Sequence, residues 1–188
     1  MDVVYFFPSC VWVERVKFDQ KELIKSVKDF SKNNKSIDIS NDGGYQYDDY
    51  KDQKLSAQVI SRIPRVEKNK FINPTIHMWL NVNSKGDSNI RHTHFNSSIL
   101  LSGVFYVKVP PNSGNIRFYD PRGISIHNPP DNQYYFDGTE YNYITPEDGM
   151  LLFFPSWFEH SVEKSESDEE RMSIGFNIFV EHINNQKV

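Results

Sequence analysis

From Ile76 the chain alternates. Ile76, Met78, Leu80 and Val82 are apolar, and His77, Trp79, Asn81 and Asn83 stand between them. A period of two puts each set on its own face of an extended strand. The same pattern returns near the end, where Met172, Ile174, Phe176, Ile178 and Val180 define one face and Arg171, Ser173, Gly175 and Asn177 the other. Between these, Leu100 to Val109 and Ile116 to Tyr119 predict further strands. Met150 to Phe154 is almost continuously apolar, as suits the interior of a two-sheet body. Turn signals separate the strands: Lys85-Gly86-Asp87-Ser88, Pro110 to Asn115, and Pro146-Glu147-Asp148-Gly149. A proline- and asparagine-rich loop runs from Asp120 to about Gln133, and the interval up to Asp148 is where a substrate lid is expected. Ser165 to Glu170 reads as an acidic surface turn, and Glu181 to Val188 as a polar tail.

The N-terminal third is patterned differently. Val3 to Phe7 and Val11 to Val13 predict short strands on either side of Pro8-Ser9. Asp19-Gln20-Lys21-Glu22 then forms a capping box, with Phe18 placed to pack on Leu23 as a hydrophobic staple. Leu23, Ile24, Val27 and Phe30 follow at helical spacing while Lys21, Lys25, Lys28 and Lys32 face water, which predicts an amphipathic helix lying against a sheet. Asn33-Asn34-Lys35 ends it, and Ser40 to Tyr45 is a turn-rich surface loop. The segment from Tyr47 to Asn69 is weakly patterned, and Leu55 to Ile63 fits a strand or a short helix. Short strands spaced by turns, after one helix, predict a mostly β fold of sandwich or jelly-roll type with helical support. There is no internal repeat and no linker, so residues 1–188 are expected to form one domain. Helix and supporting strands would occupy about 1–70, and the jelly-roll core about 71–180.

Composition narrows the function. Aromatics reach 14%, with Phe 14 and Tyr 10, enough to close a core although hydrophobic residues total only 38%. The net charge is -4 and no long basic block occurs, so nothing points to nucleic acid. The single cysteine, Cys10, excludes an internal disulfide and suits a reducing compartment. No basic region with an apolar run marks a secretory leader, and no apolar stretch approaches the roughly 18 residues of a membrane span. The expectation is a cytoplasmic protein that is not secreted. Exposed sheet edges invite pairing, so a homodimer is a candidate assembly.

The chemistry gathers around Asn89-Ile90-Arg91-His92-Thr93-His94-Phe95. In a strand, His92 and His94 would project together while Thr93 faces away. Two imidazoles can hold a divalent ion if a third ligand arrives from elsewhere, and His160 is available, beside a predicted strand. The bland alternative is a polar strand face whose histidines satisfy local hydrogen bonds. His77 is a spare candidate, whereas His127 and His182 read as ordinary polar residues. Arg171 opens the last strand. Its two readings are a surface cation, solvated or paired with Glu166, Asp168, Glu169 or Glu170, and a guanidinium that grips a small organic acid with the Ser173 hydroxyl beside it. Tyr106 either offers a phenol to the same acid or fills the core.

Ordered motifs make a resemblance specific: Asn89 to His94, Leu101 to Val107, Phe154 to Val162 and Glu170 to Asn177, with Gly43-Gly44-Tyr45-Gln46 as an N-terminal signature. Together they resemble the iron(II)- and 2-oxoglutarate-dependent oxygenase superfamily, and within it a group whose substrates are unassigned. The resemblance implies a double-stranded β-helix, a jelly-roll type. It also implies a dioxygenase that uses Fe(II), 2-oxoglutarate and molecular oxygen to hydroxylate an unidentified organic substrate. The metal would rest on His92, His94 and His160, and the cosubstrate on Arg171, Ser173 and Tyr106. His94 departs from the pattern, because it stands where the family carries a carboxylate. Three neutral ligands make the site more electropositive and leave the metal's identity open, with Asp120 a candidate acid to complete the shell.

Two rival classes remain. Gly86 lies six positions before His92, and His94 follows, as in a first cupin signature. No glutamate follows at the expected distance, and the residues before His160 do not fit the second signature. A cupin-like metalloprotein would bind iron, manganese or zinc without 2-oxoglutarate. The third class is a non-catalytic jelly-roll binding or structural protein.

Overall fold

The computed structural model describes residues 9–64, 72–96, 98–121 and 141–181. The expected strand at Val3 to Phe7, most of the loop after Asp120, His127, and the tail beyond Glu181 with His182 lie outside these residues. Among the described residues the strands are β1 (Trp12–Arg15), β2 (Asn41–Asp42), β3 (Tyr45–Tyr47), β4 (Ile72–Asn83), β5 (Ser88–His92), β6 (Ile99–Lys108), β7 (Ile116–Tyr119), β8 (Tyr141–Ile144), β9 (Met150–Pro155), β10 (His160–Val162) and β11 (Arg171–Glu181). Two helices, α1 (Gln20–Asn33) and α2 (Gln53–Ile60), complete the set.

The strands form two sheets. The major sheet has the order β1-β9-β6-β11-β4-β3, and the minor sheet β2-β5-β10-β7-β8. All recorded pairings are antiparallel. This is the jelly-roll architecture expected from the strand pattern, and the double-stranded β-helix that the family resemblance implied. One apolar cluster lies between the sheets, where Tyr106, Leu152 and Phe154 of the major sheet meet Ile116 and Phe118 of the minor one. A larger cluster covers the other face of the major sheet, where Met172, Ile174, Phe176 and Ile178 of β11 join Met78, Leu80 and Val82 of β4 beneath the helices. The alternation in β4 and β11 is therefore a division between a scaffold face and a cavity face.

Helix α1 starts as its sequence dictates. The Asp19 carboxylate accepts from the Glu22 amide at 3.0 Å, the Val27 side chain is buried, and the four lysines are exposed. Phe18 sits edge-on to Phe105 of β6, with ring centroids 5.0 Å apart, and so ties the helix entry to the sheet. The ambiguous segment after Tyr47 resolves as a helix: Asp52 caps α2 by accepting from the Leu55 amide at 2.9 Å, and Leu55 and Val59 are buried.

Two predicted loops contain strands. Ser40 to Tyr45 carries β2 and the start of β3, which belong to different sheets. Gly43 and Gly44, both at positive φ (76° and 70°), make the crossing. A Cβ on Gly44 would sit 2.9 Å from the Val82 carbonyl oxygen, so the turn is closed to larger residues. The interval from Asp120 to Asp148 contains β8, an edge strand whose Tyr141–Ile144 sequence is short and polar enough to escape a periodicity reading. Ser165 to Glu170 is less superficial than predicted, since Ser165 and Ser167 are buried and the Ser165 backbone bonds to Gly86 and Asp87.

Candidate active site

His92 ends β5 and His160 opens β10, and antiparallel pairing sets them directly opposite one another. His94 lies just beyond the end of β5 rather than within it. Its backbone amide donates to the Ser156 carbonyl at 3.0 Å, which holds the segment close to the start of β10. Thr93 is exposed, as an outward residue between two inward ones should be. One nitrogen from each of the three imidazoles lies within 4.8 Å of the others. The ring centroids are 4.4 Å apart for His92 and His160, 4.9 Å for His92 and His94, and 5.1 Å for His94 and His160. Sequence spacing thus named a group that the fold assembles. Asp120 does not join it, and no other carboxylate of a described residue does.

Burial holds all three rings below the usual histidine range. It lowers His94 to about 4, with the nearby His92 adding to the effect. It also lowers His92, and it takes His160 well below its ordinary value with help from both neighbours. At neutral pH the rings are uncharged, so each has a lone pair to donate. His92 Nδ1 contacts the Ile90 carbonyl at 2.6 Å and His160 Nδ1 the Phe158 carbonyl at 2.9 Å. A carbonyl only accepts, so both Nδ1 atoms carry the proton and both Nε2 atoms are free. Main-chain acceptors fix metal-ligating histidines in this way. The donor set fits a divalent metal of imidazole preference, iron included.

His77 is not part of the group. It pairs with Asp48, Nε2 to Oδ1 at 3.0 Å, from the middle of β4.

Arg171 is 1% exposed. Nη1 donates to the Ser113 carbonyl at 2.8 Å and, more weakly, to Gly114 at 3.3 Å, while Nε has no partner. The acidic residues that could have neutralised it are engaged elsewhere or remote: Asp168 binds Lys85 and Glu169 binds Lys108. No carboxylate of a described residue pairs with Arg171. The surface-pair reading is thus ruled out. A buried, uncompensated guanidinium costs several kcal/mol, which an anion brought in from outside would offset. Burial lowers its pKa, and the same burial pushes the neighbouring Tyr106 phenol up to about 12, so that hydroxyl stays protonated.

One cavity of about 50 Å³ joins these groups. It is lined by the three histidines, Arg171, Ser173 and Tyr106. Trp79, Asn81, Asn89 and Ser40 line it as well, and the sequence reading had assigned them no role. For Trp79 and Asn81 a signal existed, since both alternate with the scaffold residues of β4, and asparagine is a poor strand former that needs a reason to be there. The Asn81 Oδ1 atom is buried without a partner. Ser40 and Asn89 come together only because β2 pairs with β5, which no local pattern announces.

A jelly-roll whose interior holds three neutral imidazoles beside a buried guanidinium defines a non-haem metal enzyme of the oxygenase class. The family model described as "Putative 2OG-Fe(II) oxygenase" matches residues 77–177, and the chain belongs to that family of enzymes, acting on a substrate not yet identified. No curated protein matches the sequence significantly. Solved structures with the same fold include a Pseudomonas putida prolyl-4-hydroxylase, at 15% identity and a TM-score of 0.64, covering 93% of this chain and 94% of that one. A Trichoplax adhaerens prolyl hydroxylase, solved with a hypoxia inducible factor peptide fragment, has 16% identity and a TM-score of 0.64, covering 90% and 83%. HygX from Streptomyces hygroscopicus, solved with nickel, 2-oxoglutarate and hygromycin B, has 13% identity and a TM-score of 0.54, covering 91% and 83%. Among the described residues no helix is long and apolar enough to cross a membrane.

Proposed function

We propose that this chain is a mononuclear iron dioxygenase that consumes 2-oxoglutarate and molecular oxygen and hydroxylates an organic substrate. His92, His94 and His160 hold Fe(II). Arg171 receives the distal carboxylate of 2-oxoglutarate, with Ser173 and the neutral Tyr106 phenol as hydroxyl donors beside it. The observation that carries this reading is Arg171, a cation 1% exposed, with no counter-charge among the described residues, in the cavity that the imidazoles also line. A cupin-like centre without 2-oxoglutarate gives that buried charge no purpose, and neither does a purely structural jelly-roll. One domain over residues 1–188 is the simplest organisation, because α1 and α2 pack into the same cluster as β4 and β11. The exposed Cys10 thiol suits a reducing compartment such as the cytoplasm.

When bound, iron supplies the redox chemistry that couples decarboxylation of the cosubstrate, to succinate and carbon dioxide, with insertion of one oxygen atom into a substrate C–H bond. The protein's own groups do the positioning. His92, His94 and His160 would hold the metal through three imidazole nitrogens that lie within 4.8 Å of one another, and three protein ligands would leave coordination positions for exogenous ones. The guanidinium fixes one end of a short diacid by charge-assisted hydrogen bonds. The apolar side chains of Val104, Ile116, Phe154 and Val162 in the cavity wall lower the local polarity and strengthen that pairing.

The test is anaerobic titration of the purified protein with Fe(II) and then 2-oxoglutarate, followed by admission of oxygen. Tight metal binding, a new visible charge-transfer band on adding 2-oxoglutarate, and succinate formation are expected. Absence of metal binding overturns the reading. Metal binding that 2-oxoglutarate leaves unperturbed returns the protein to the cupin-like class.

A further inference from the structure

The three imidazoles are not held alike. His92 and His160 each have a main-chain carbonyl on Nδ1, but the His94 ring makes no hydrogen bond to any described residue. It also stands just outside β5, so the strand ladder does not set the direction of its side chain, although its amide is held by the Ser156 carbonyl. What does constrain it is the set of rings packed around it. Trp79 lies with its centroid 5.2 Å away and planes at 36°, His160 at 5.1 Å and 27°, and His92 edge-on at 4.9 Å, and of the three only Trp79 is not itself a candidate ligand.

Trp79 has a seat of its own. It is the cross-strand Cα partner of Gly175 in β11, and a Cβ added at Gly175 would overlap the indole at Cε2, Nε1 and Cζ2. The indole therefore lies across a bare stretch of backbone in the floor of the cavity. Gly175 is otherwise an odd choice in the middle of a strand, where glycine weakens pairing. Its flanking residues Ile174 and Phe176 are fully buried scaffold side chains, so the bareness is local to the cavity face.

We infer that Trp79, seated on Gly175, is the positioning residue for His94, holding its ring in the direction that makes it a metal ligand. The inference rests on the reading of His94 as a ligand. Its physical content is entropic. An imidazole without a hydrogen bond can swing about χ1 and χ2 unless a wall removes those rotamers, and a ligand ordered in advance binds more tightly. Removing an outer partner of a metal-binding histidine costs about 10–100-fold in affinity, and the same range is expected here.

Co(II) is a suitable probe, because its visible ligand-field bands report the number and arrangement of ligands. Full-length wild type, Trp79→Leu, Trp79→Phe, His94→Ala and the double variant Trp79→Leu/His94→Ala are titrated with Co(II). Circular dichroism and thermal melts monitor the fold. Trp79→Leu is expected to weaken Co(II) binding at least about tenfold and to shift the visible bands, while Trp79→Phe, which keeps a ring face, restores most of both. In the His94→Ala background Trp79→Leu should add nothing, because a residue acting through His94 has no effect once His94 is gone. If Trp79→Leu fails to fold, Trp79→Met, which also removes the ring face, takes its place and is compared with and without His94. Unchanged affinity and bands in a folded variant that lacks the ring, or an equal loss with and without His94, overturns the inference and leaves the three-histidine site standing. Failure of wild type to bind Co(II), or His94→Ala binding as well as wild type, overturns the underlying ligand assignment instead.

Discussion

His92 and His160 are Cα partners across the antiparallel pair β5–β10, and their ring centroids are 4.4 Å apart. Neighbouring strands of one sheet thus supply two of the candidate ligands at a fixed separation. A register slip of one residue would turn either imidazole to the outer face, so the centre depends on the pairing as much as on residue type. Arg91 of β5 and Glu159, just before β10, bond across this pair, Nη2 to Oε2 at 2.6 Å, and help to hold that register.

Replacing His160 with alanine removes one Nε2 lone pair. Affinity for Fe(II) or Mn(II) is expected to fall by more than about a hundredfold, beyond the range typical of outer-shell changes. The apo fold should survive, since a neutral side chain is lost from a site lined by Phe118 and Phe154. Metal titration by calorimetry with a parallel thermal melt measures both. Unchanged affinity in a folded variant removes His160 from the centre.

Arg171→Met separates function from stability. No carboxylate of a described residue pairs with this buried arginine, and relieving a desolvated charge offsets the loss of its bonds to the Ser113 and Gly114 carbonyls. The cosubstrate-free protein should therefore melt no lower than wild type. Binding of 2-oxoglutarate should weaken about tenfold or more, given about 1.5–3 kcal/mol for a hydrogen bond to a charged group, while metal affinity stays within about twofold. A variant that unfolds, or that loses metal and cosubstrate equally, would mark Arg171 as structural.

How much of this was legible from the residues alone depends on the range of the interaction. Helix α1 was readable because its cap, staple and apolar stripe are local, and β4 and β11 because alternation over many residues is hard to produce by chance. The three histidines were readable as a set because their residue type is rare and the motifs around them are ordered along the chain. Edge strand β8 was not readable, since its partner β7 rather than its own sequence makes it a strand. The fate of Arg171 was undetermined for a related reason. Four acidic residues precede it within the same turn, and only the fold shows that Lys85 and Lys108 engage two of them. Trp79 and Asn81 sat on a face whose purpose became visible only when β11 closed beside β4.

Metal should stabilise the fold in proportion to its occupancy. A ligand at a hundred times its Kd adds about 2.7 kcal/mol, and for a chain of this size each kcal/mol moves Tm by about 2–4 °C. Saturating Mn(II) under anaerobic conditions is expected to raise Tm by about 5–10 °C, and chelation should reverse it. The His92→Ala protein should show little of the shift, and a full shift in that variant would mean the ion binds elsewhere.

Gly103 tests the packing beneath the site. A Cβ there would overlap both the Leu152 carbonyl oxygen of β9 and the Phe176 ring of β11, one of them backbone that cannot step aside. Gly103→Ala is expected to destabilise by about 1–3 kcal/mol through overpacking, read as a lower urea midpoint. Stability equal to wild type would show that β6 and β9 are less closely apposed than described.

Tyr106 offers a pH test whose sign is fixed by burial. Its phenol is pushed up to about 12 from an ordinary value of 10, mainly by desolvation, with Arg171 acting weakly in the opposite direction. The folded state therefore favours the protonated form. That contribution is fully present below pH 10, where folded and unfolded chains both carry the proton. It is lost as pH rises from about 10 to about 12, because the unfolded chain ionises first. The loss amounts to about 2–3 kcal/mol over that window. Tyr106→Phe removes this group while leaving the other tyrosines in place, so the difference in unfolding free energy between the two proteins should shift in favour of the variant above pH 10. Below pH 10 the variant should differ mainly in 2-oxoglutarate affinity, by the few-fold that a neutral hydrogen bond of about 1 kcal/mol provides. Chemical denaturation at pH 8 and pH 11 with cosubstrate titration at pH 8 measures both effects. Parallel stability curves at the two pH values would show that the phenol ionises like an exposed one, and would take it out of the buried end of the cavity.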